Sequence, residues 1–219
     1  LIYRISGPVV TAIDMKAAMY DVVRVGTEGL MGEVIELHGD KAVIQVYEDT
    51  SGIRPGEVVV NTGETLSVSL GPGLLTQIYD GIQRPLPTLE KEMGVFLTRG
   101  VDADAFDLEK IWTFEPQVSV GDTVVGGQVV GHVQETDTIV HKIMVVPGKG
   151  GVVKSIESGD FNVTQTICTF EDGSEMQMMQ EWPVRTPRPY QQKYPPVIPL
   201  VTGMRILDFL FPLAKGGAA

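Results

Sequence analysis

The chain has 219 residues, 43% of them hydrophobic, and 17 Lys and Arg stand against 28 Asp and Glu, a formal net charge of −11. Size and apolar content exclude global disorder and supply a core for one large domain or two small ones, while the acidity argues against a nucleic-acid partner. The single cysteine, Cys168, excludes an intrachain disulfide and a four-thiolate zinc site, His38, His132 and His141 lack ligand spacing, and no run approaches the roughly 18 apolar residues of a membrane span. Leu1 in place of a methionine and the close on Lys215-Gly216-Gly217-Ala218-Ala219 read as cut ends, and no secretory signal is visible.

In residues 1–70, short Val- and Ile-rich runs lie between Gly and Pro punctuation: Val9-Val10-Thr11-Ala12-Ile13, Gly32-Glu33-Val34-Ile35-Glu36-Leu37 and Ala42-Val43-Ile44-Gln45-Val46-Tyr47. The middle run alternates with period two, as a half-buried strand does. His38-Gly39-Asp40-Lys41 reads as a hairpin turn and Arg54-Pro55-Gly56-Glu57 as another. About six strands in this span predict a small closed barrel. At Leu70-Gly71-Pro72-Gly73 the pattern changes. Leu74, Leu75, Ile78 and Ile82 fall at helical spacing, and Pro85 and Pro87 stop it, which predicts a short helix over 73–81. Asp102, Asp104 and Asp107 read as a solvated loop, since calcium-loop offsets are absent.

Residues 110–181 form a second strand-rich block. Val120–Gly131 reads as two turns and two strands, and further strands lie over Ile139–Val146, Val152–Ile156 and Gln165–Phe170, with Met176, Met178 and Met179 as core filler on another. From Trp182 to Pro199 the prolines predict an extended connector. A helix then follows over 203–212, with Thr202 as a candidate N-cap.

No catalytic set stands out. Cys168 sits in an apolar run and reads as an inert buried thiol. The glycine doublets at Gly126, Gly150 and Gly216 lack the following Lys and Ser or Thr of a phosphate loop. Lys142 lies inside Val140-His141-Lys142-Ile143-Met144, mid-strand rather than at the exposed turn tip of a biotinyl or lipoyl carrier, so a shared barrel-sandwich shape without the carrier function is the reading. Arg84 and Arg185 read as structural partners of a carboxylate or carbonyl, and Trp112 and Trp182 as core residues at domain boundaries. Gly7, Gly26, Gly52, Gly71 and Gly73 are assigned to backbone geometry.

Several runs together resemble the catalytic A subunits of the archaeal and vacuolar (A/V-type) rotary ATPases. They are Ser6-Gly7-Pro8-Val9-Val10, Tyr47-Glu48-Asp49-Thr50-Ser51-Gly52, Tyr79-Asp80-Gly81-Ile82-Gln83-Arg84-Pro85-Leu86, Trp182-Pro183-Val184-Arg185 and Thr202-Gly203-Met204-Arg205-Ile206-Leu207-Asp208. The resemblance implies a mainly β fold. An N-terminal β-barrel over 1–70 would join a crown, and a connecting helix and linker would occupy 71–109. A barrel-sandwich-like bulge would fill 110–181, and 182–219 would be the Pro-rich connector and truncated start of an α/β P-loop NTPase domain. It implies no catalytic, cofactor-binding or metal residue in this chain, since the family's P-loop lies beyond Ala219. The parent protein would use Mg-ATP or ADP, with B subunits of an A3B3 ring and stalk subunits as partners. The bulge would contact a peripheral stalk on the cytoplasmic side of the cell membrane, with no nucleic-acid partner and no membrane insertion. A stand-alone two-barrel interaction module is the alternative.

Overall fold

The computed structural model describes residues 1–94, 99–101, 103–190 and 192–217. Strands β1 (Ile2–Ser6), β2 (Val9–Ile13), β3 (Asp21–Val25), β4 (Leu30–His38), β5 (Lys41–Val46) and β6 (Val59–Thr65) form one antiparallel sheet in the order β1-β2-β5-β4-β3-β6. Gly39 and Asp40 make the turn between β4 and β5, and His38 pairs with Lys41 across it. The sheet curls until β1 meets the chain entering β6: the Ile2 N–H donates to the Glu57 carbonyl and the Gly56 N–H to the Ile2 carbonyl, both at 2.8 Å. Period-two residues Val10, Val23, Val25, Leu30, Val34 and Ile44 fill the interior, each contributing about 1.5–3 kcal/mol of burial. The expected small barrel is therefore present.

In β4 the alternation fails. Gly32, Glu33 and Val34 are all buried, and the register with β5 shifts between Val34 and Glu36. Val34 pairs with the interior Ile44 and Glu33 with Gln45 before that shift, so Glu33 lies on the outer face of the barrel, buried because Arg185 and Tyr47 cover it.

Strand β7 (Ser67–Leu70) leaves the barrel. The helix expected over 73–81 does not form; the stretch holds turns and a single bridge between Tyr79 and Pro85. Gly73 and Thr76 have φ of 107° and 68°, left-handed values that break a helix. The helix of this region is α1 (Leu86–Met93), with Pro85 as its N-cap and Pro87 in its first turn. Proline's missing N–H is harmless there, so residues that read as a stop are a start. Asp104 and Asp107 are exposed, and Asp102 lies outside the described residues.

The second block holds β8 (Trp112–Pro116), β9 (Thr123–Val125), β10 (Val129–Thr136), β11 (Ile139–Met144), β12 (Gly150–Ile156), β13 (Gly159–Phe161), β14 (Thr166–Phe170) and β15 (Glu175–Gln177). They make two four-stranded sheets, β11-β10-β8-β13 and β15-β14-β12-β9. Phe114, Val130, Val133, Val153, Ile167 and Phe170 pack between them, with Met176 and Met178 buried beside them. Phe114 and Phe161 meet edge to face at 6.5 Å. The chain then returns as β16 (Gln180–Pro183), antiparallel to β7. Trp182 and Pro183, expected in the connector, belong to this ribbon, where a proline at a strand end costs no ladder bond.

Chain contacts divide the molecule into unit 1, residues 1–187, and unit 2, residues 188–219. In unit 2, β17 (Pro199–Leu200) pairs with β18 (Leu213–Ala214) around α2 (Arg205–Leu210). This helix is shorter than the expected 203–212, and its N-cap is Met204 rather than Thr202. Thr202 is held outside the helix because its N–H and hydroxyl both donate to the Asp208 carboxylate, at 2.9 and 2.7 Å. Among the described residues no helix is long and apolar enough to cross a membrane.

Candidate functional site

Three carboxylates on the barrel and the second block, each shielded from solvent, bind segments distant in sequence. The first is Glu33 on the outer face of β4, only 3% exposed. Arg185 forks onto it: Nε donates to Oε1 at 3.0 Å and Nη2 donates to Oε2. The Tyr47 hydroxyl donates to the same Oε2 at 3.3 Å. The Arg185 guanidinium lies 4.0 Å from the Tyr20 ring centroid, adding a cation–π contact. Hydrogen bonding to Glu33 raises the pKa of Arg185, and burial, then the Glu33 charge, raises that of Tyr47.

The second is Glu48, which accepts from the Gly100 N–H at 2.9 Å and lies 3.7 Å from Arg84 Nη1. Arg84 is the hub. Its Nε donates to Asp80 at 2.7 Å and its Nη1 to the Val101 carbonyl at 2.8 Å. Burial of Asp80 works to raise its pKa, but hydrogen bonds from Arg84 and the Ile82 N–H outweigh it and hold the carboxyl low. Arg99 ties the same loop to the barrel through the Asp49 and Ser51 carbonyls and the Glu28 carboxylate. The Tyr47-to-Gly52 run is thus a socket for residues 99–101.

Glu135 on β10 is the third, its side chain 3% exposed. Oε1 accepts from the N–H groups of Gly73, at 2.7 Å, and Leu75, at 3.3 Å, and Oε2 faces His141 Nδ1 at 2.8 Å. Burial opposes ionisation, yet these donors together lower the Glu135 pKa. The anchor holds residues 73–75 against β10.

The arrangement ties segments distant in sequence to one another. Cys168 is 1% exposed and burial pushes its thiol up, away from nucleophilic use. His38, His132 and His141 each face a single glutamate, Glu36, Glu115 and Glu135, and no metal-ligand cluster occurs among the described residues. Lys142 is exposed in the middle of β11, opposite His132, which excludes a carrier turn. The doublets at Gly126 and Gly150 belong to the β9–β10 turn and to β12. An open cavity of about 600 Å³ beside α1 is lined by Pro87, Lys91, Phe106, Lys110 and Trp112; the Lys110 ammonium sits on the Trp112 ring at 4.1 Å.

Both arginines singled out in the sequence pair with carboxylates and carbonyls. Trp112 is buried in the second block, and Trp182 is half-buried, donating through Nε1 to the Thr186 carbonyl at 2.7 Å. Glu33, Glu48, Glu135 and Tyr20 were given no site role in the sequence reading. The one available signal was Glu33, a charge inside a run of apolar strand residues.

Comparison with known proteins assigns the two β-rich blocks. Residues 2–63 match the ATP synthase alpha/beta family β-barrel domain, and residues 103–185 match the ATP synthase alpha/beta subunit barrel-sandwich domain. The A-type ATP synthase A subunit of Methanosarcina barkeri is 62% identical over 218 residues, 100% of this chain and 38% of that protein. Its counterpart in Methanocorpusculum labreanum is 62% identical over 220 residues with the same coverage. That of Natronomonas pharaonis is 59% identical over 220 residues, 100% of this chain and 38% of that protein. The chain thus spans 38% of the length of these relatives.

Proposed function

Because this chain belongs to the ATP synthase alpha/beta family, through its β-barrel and barrel-sandwich domains, we propose that it is the N-terminal part of the catalytic A subunit of an A-type rotary ATPase. The supporting observation is identity of 62% along the entire chain to such a protein. The parent protein would bind Mg-ATP or ADP and hydrolyse or synthesise ATP by positioning and charge stabilisation at the phosphates. The nucleotide-binding residues would belong to the part of the relatives that this chain does not span.

The role of this segment is assembly. Residues 1–70 form the crown barrel that meets neighbouring B subunits, 71–109 the linker, and 110–181 a bulge offered to a peripheral stalk. Residues 182–219 lead into the nucleotide-binding domain, and the whole lies on the cytoplasmic face of a membrane complex. The anchors at Glu33, Glu48 and Glu135 suit that role, since they make barrel, linker and bulge one body. Unit 2 fits it too: Val201, Met204, Ile206, Phe209 and Phe211 are exposed, and Phe209 is 80% exposed. Such a patch implies a covering partner, which a stand-alone module would lack.

Native mass spectrometry of this chain mixed with its B subunit tests the assignment, together with calorimetry in Mg-ATP. The expected result is a complex of the two chains and no heat of nucleotide binding. Mg-ATP binding by this chain alone, with no complex formed, would overturn it.

A further inference from the structure

Strand β7 pairs with β16 at Leu70–Gln180, Ser69–Glu181, Val68–Trp182 and Ser67–Pro183, and the Val184 N–H donates to the Leu66 carbonyl at 2.9 Å. Alternation along an antiparallel ladder therefore turns the N–H and C=O groups of Leu66, Val68 and Leu70 toward β16. Those of Ser67 and Ser69 face the other way, toward an edge that no strand among the described residues occupies. Gln83 stands there instead. Its Nε2 donates to the Ser69 carbonyl at 2.7 Å, and its Oε1 accepts from the Ser69 N–H at 2.7 Å. The carboxamide thus pairs with Ser69 as a peptide unit of a third strand would.

Gln83 holds this position at a φ of 65°, in the left-handed region that turns ordinarily give to Gly or Asn. The turn itself is built by other groups. The Gln83 N–H donates to the Asp80 carbonyl at 3.2 Å, and the Asp80 carboxylate accepts from the Ile82 and Arg84 N–H groups at 3.0 and 2.9 Å. Gly or Asn would serve this backbone as well; only the reach of a glutamine serves the β7 edge. Beside that edge the tip leaves a cavity of about 180 Å³, lined by Leu66, Ser67, Val68, Tyr79 and Ile82, so the seal is made at Ser69.

The edge so covered is complementary to itself. Leu66-Ser67-Val68-Ser69-Leu70 reads the same in both directions and carries no charge. Two copies laid antiparallel about a two-fold at Val68 would set Ser67 of each against Ser69 of the other. Every N–H and C=O that these serines turn outward would then find a partner. Open, uncharged edges invite such pairing, and natural sheets block them. We propose that Gln83 is an edge guard: standing in for a third strand at Ser69, it prevents the β7–β16 ribbon from joining the same ribbon of a second copy of this chain. The guard is a property of unit 1 alone and does not depend on the assembly proposed above.

The experiment is amide exchange, with light scattering after gel filtration, on the full chain across a concentration series. Phe209→Asp and Phe211→Asp are present in every sample, so that the apolar patch of unit 2 does not itself associate. Gln83→Gly suits the local φ and, with nearby Gly81, frees the tip; Gln83→Asn tolerates that φ but is a methylene too short to reach Ser69. In dilute Q83G and Q83N the Ser69 amide should exchange about tenfold faster, with β12 and β14 unchanged. Concentrated Q83G should form a dimer in which Ser69 is protected again, whereas the chain that keeps Gln83 stays monomeric. Ser69→Pro added to Q83G removes an outward N–H and no bond to β16, and should restore the monomer. If that chain does not fold, Val68→Lys, which sets two cations at the two-fold, takes its place. Unchanged Ser69 exchange in both variants, a Q83G monomer at every concentration, a dimer in the chain that keeps Gln83, or a dimer that survives the added substitution would each overturn the proposal.

Discussion

At the scale of single residues, Glu135 carries the clearest pH consequence. Its folded pKa is lowered, so the folded protein binds fewer protons there than the unfolded chain. The stabilisation is complete above the ordinary glutamate value of about 4.3 and is lost as pH falls through the lower folded value. Glu135→Gln should cost about 1–2 kcal/mol at neutral pH and flatten the acid limb of a stability-versus-pH curve measured by urea unfolding. Cys168 gives an independent check on core packing. Ellman's reagent should label it in the native protein at less than about a tenth of the rate in denaturant, because reaction waits on opening. Arg84 and Arg185 were legible as structural residues because guanidinium geometry calls for a fixed carboxylate or carbonyl wherever it is partly buried. Their partners were not legible. Glu33 and Arg185 lie 152 positions apart, and Gly73 and Glu135 lie 62 apart, and no local pattern encodes such pairs.

At the scale of elements, Gly131 sets the spacing of β8 and β10. A Cβ added there would lie 2.4 Å from the Phe114 ring and 2.6 Å from the Glu115 carbonyl oxygen. Gly131→Ala should cost about 1–3 kcal/mol through overpacking, read as a lowered thermal midpoint. The strands of both β-rich blocks were readable because period-two burial and turn chemistry are local. The helix was misplaced because Leu74, Leu75, Ile78 and Ile82 satisfy helical spacing without being helical. Leu75 and Ile78 are exposed, and Gly73 and Thr76 hold φ values of 107° and 68° that a helix does not admit. Pro85 and Pro87 misled for a related reason, since proline ends one helix and begins another with the same φ. Thr202 likewise has the chemistry of an N-cap, but Asp208 claims it first.

At the scale of the whole molecule, unit 2 exposes more apolar surface than a stable solitary surface tolerates. Phe209→Asp together with Phe211→Asp should lower the fluorescence of the dye ANS bound to the chain by about half or more, leaving unit 1 unfolding unchanged. The other molecular consequence concerns time. Strands β1 to β6 leave the ribosome first, but Arg185 is made 152 residues after Glu33. At roughly 5–20 residues per second, that is a delay on the order of 8–30 s. Throughout it the nascent barrel carries the Glu33 carboxylate without its cation, so that part of its outer face stays hydrated. The barrel is therefore the first part of unit 1 to be translated and among the last to be finished.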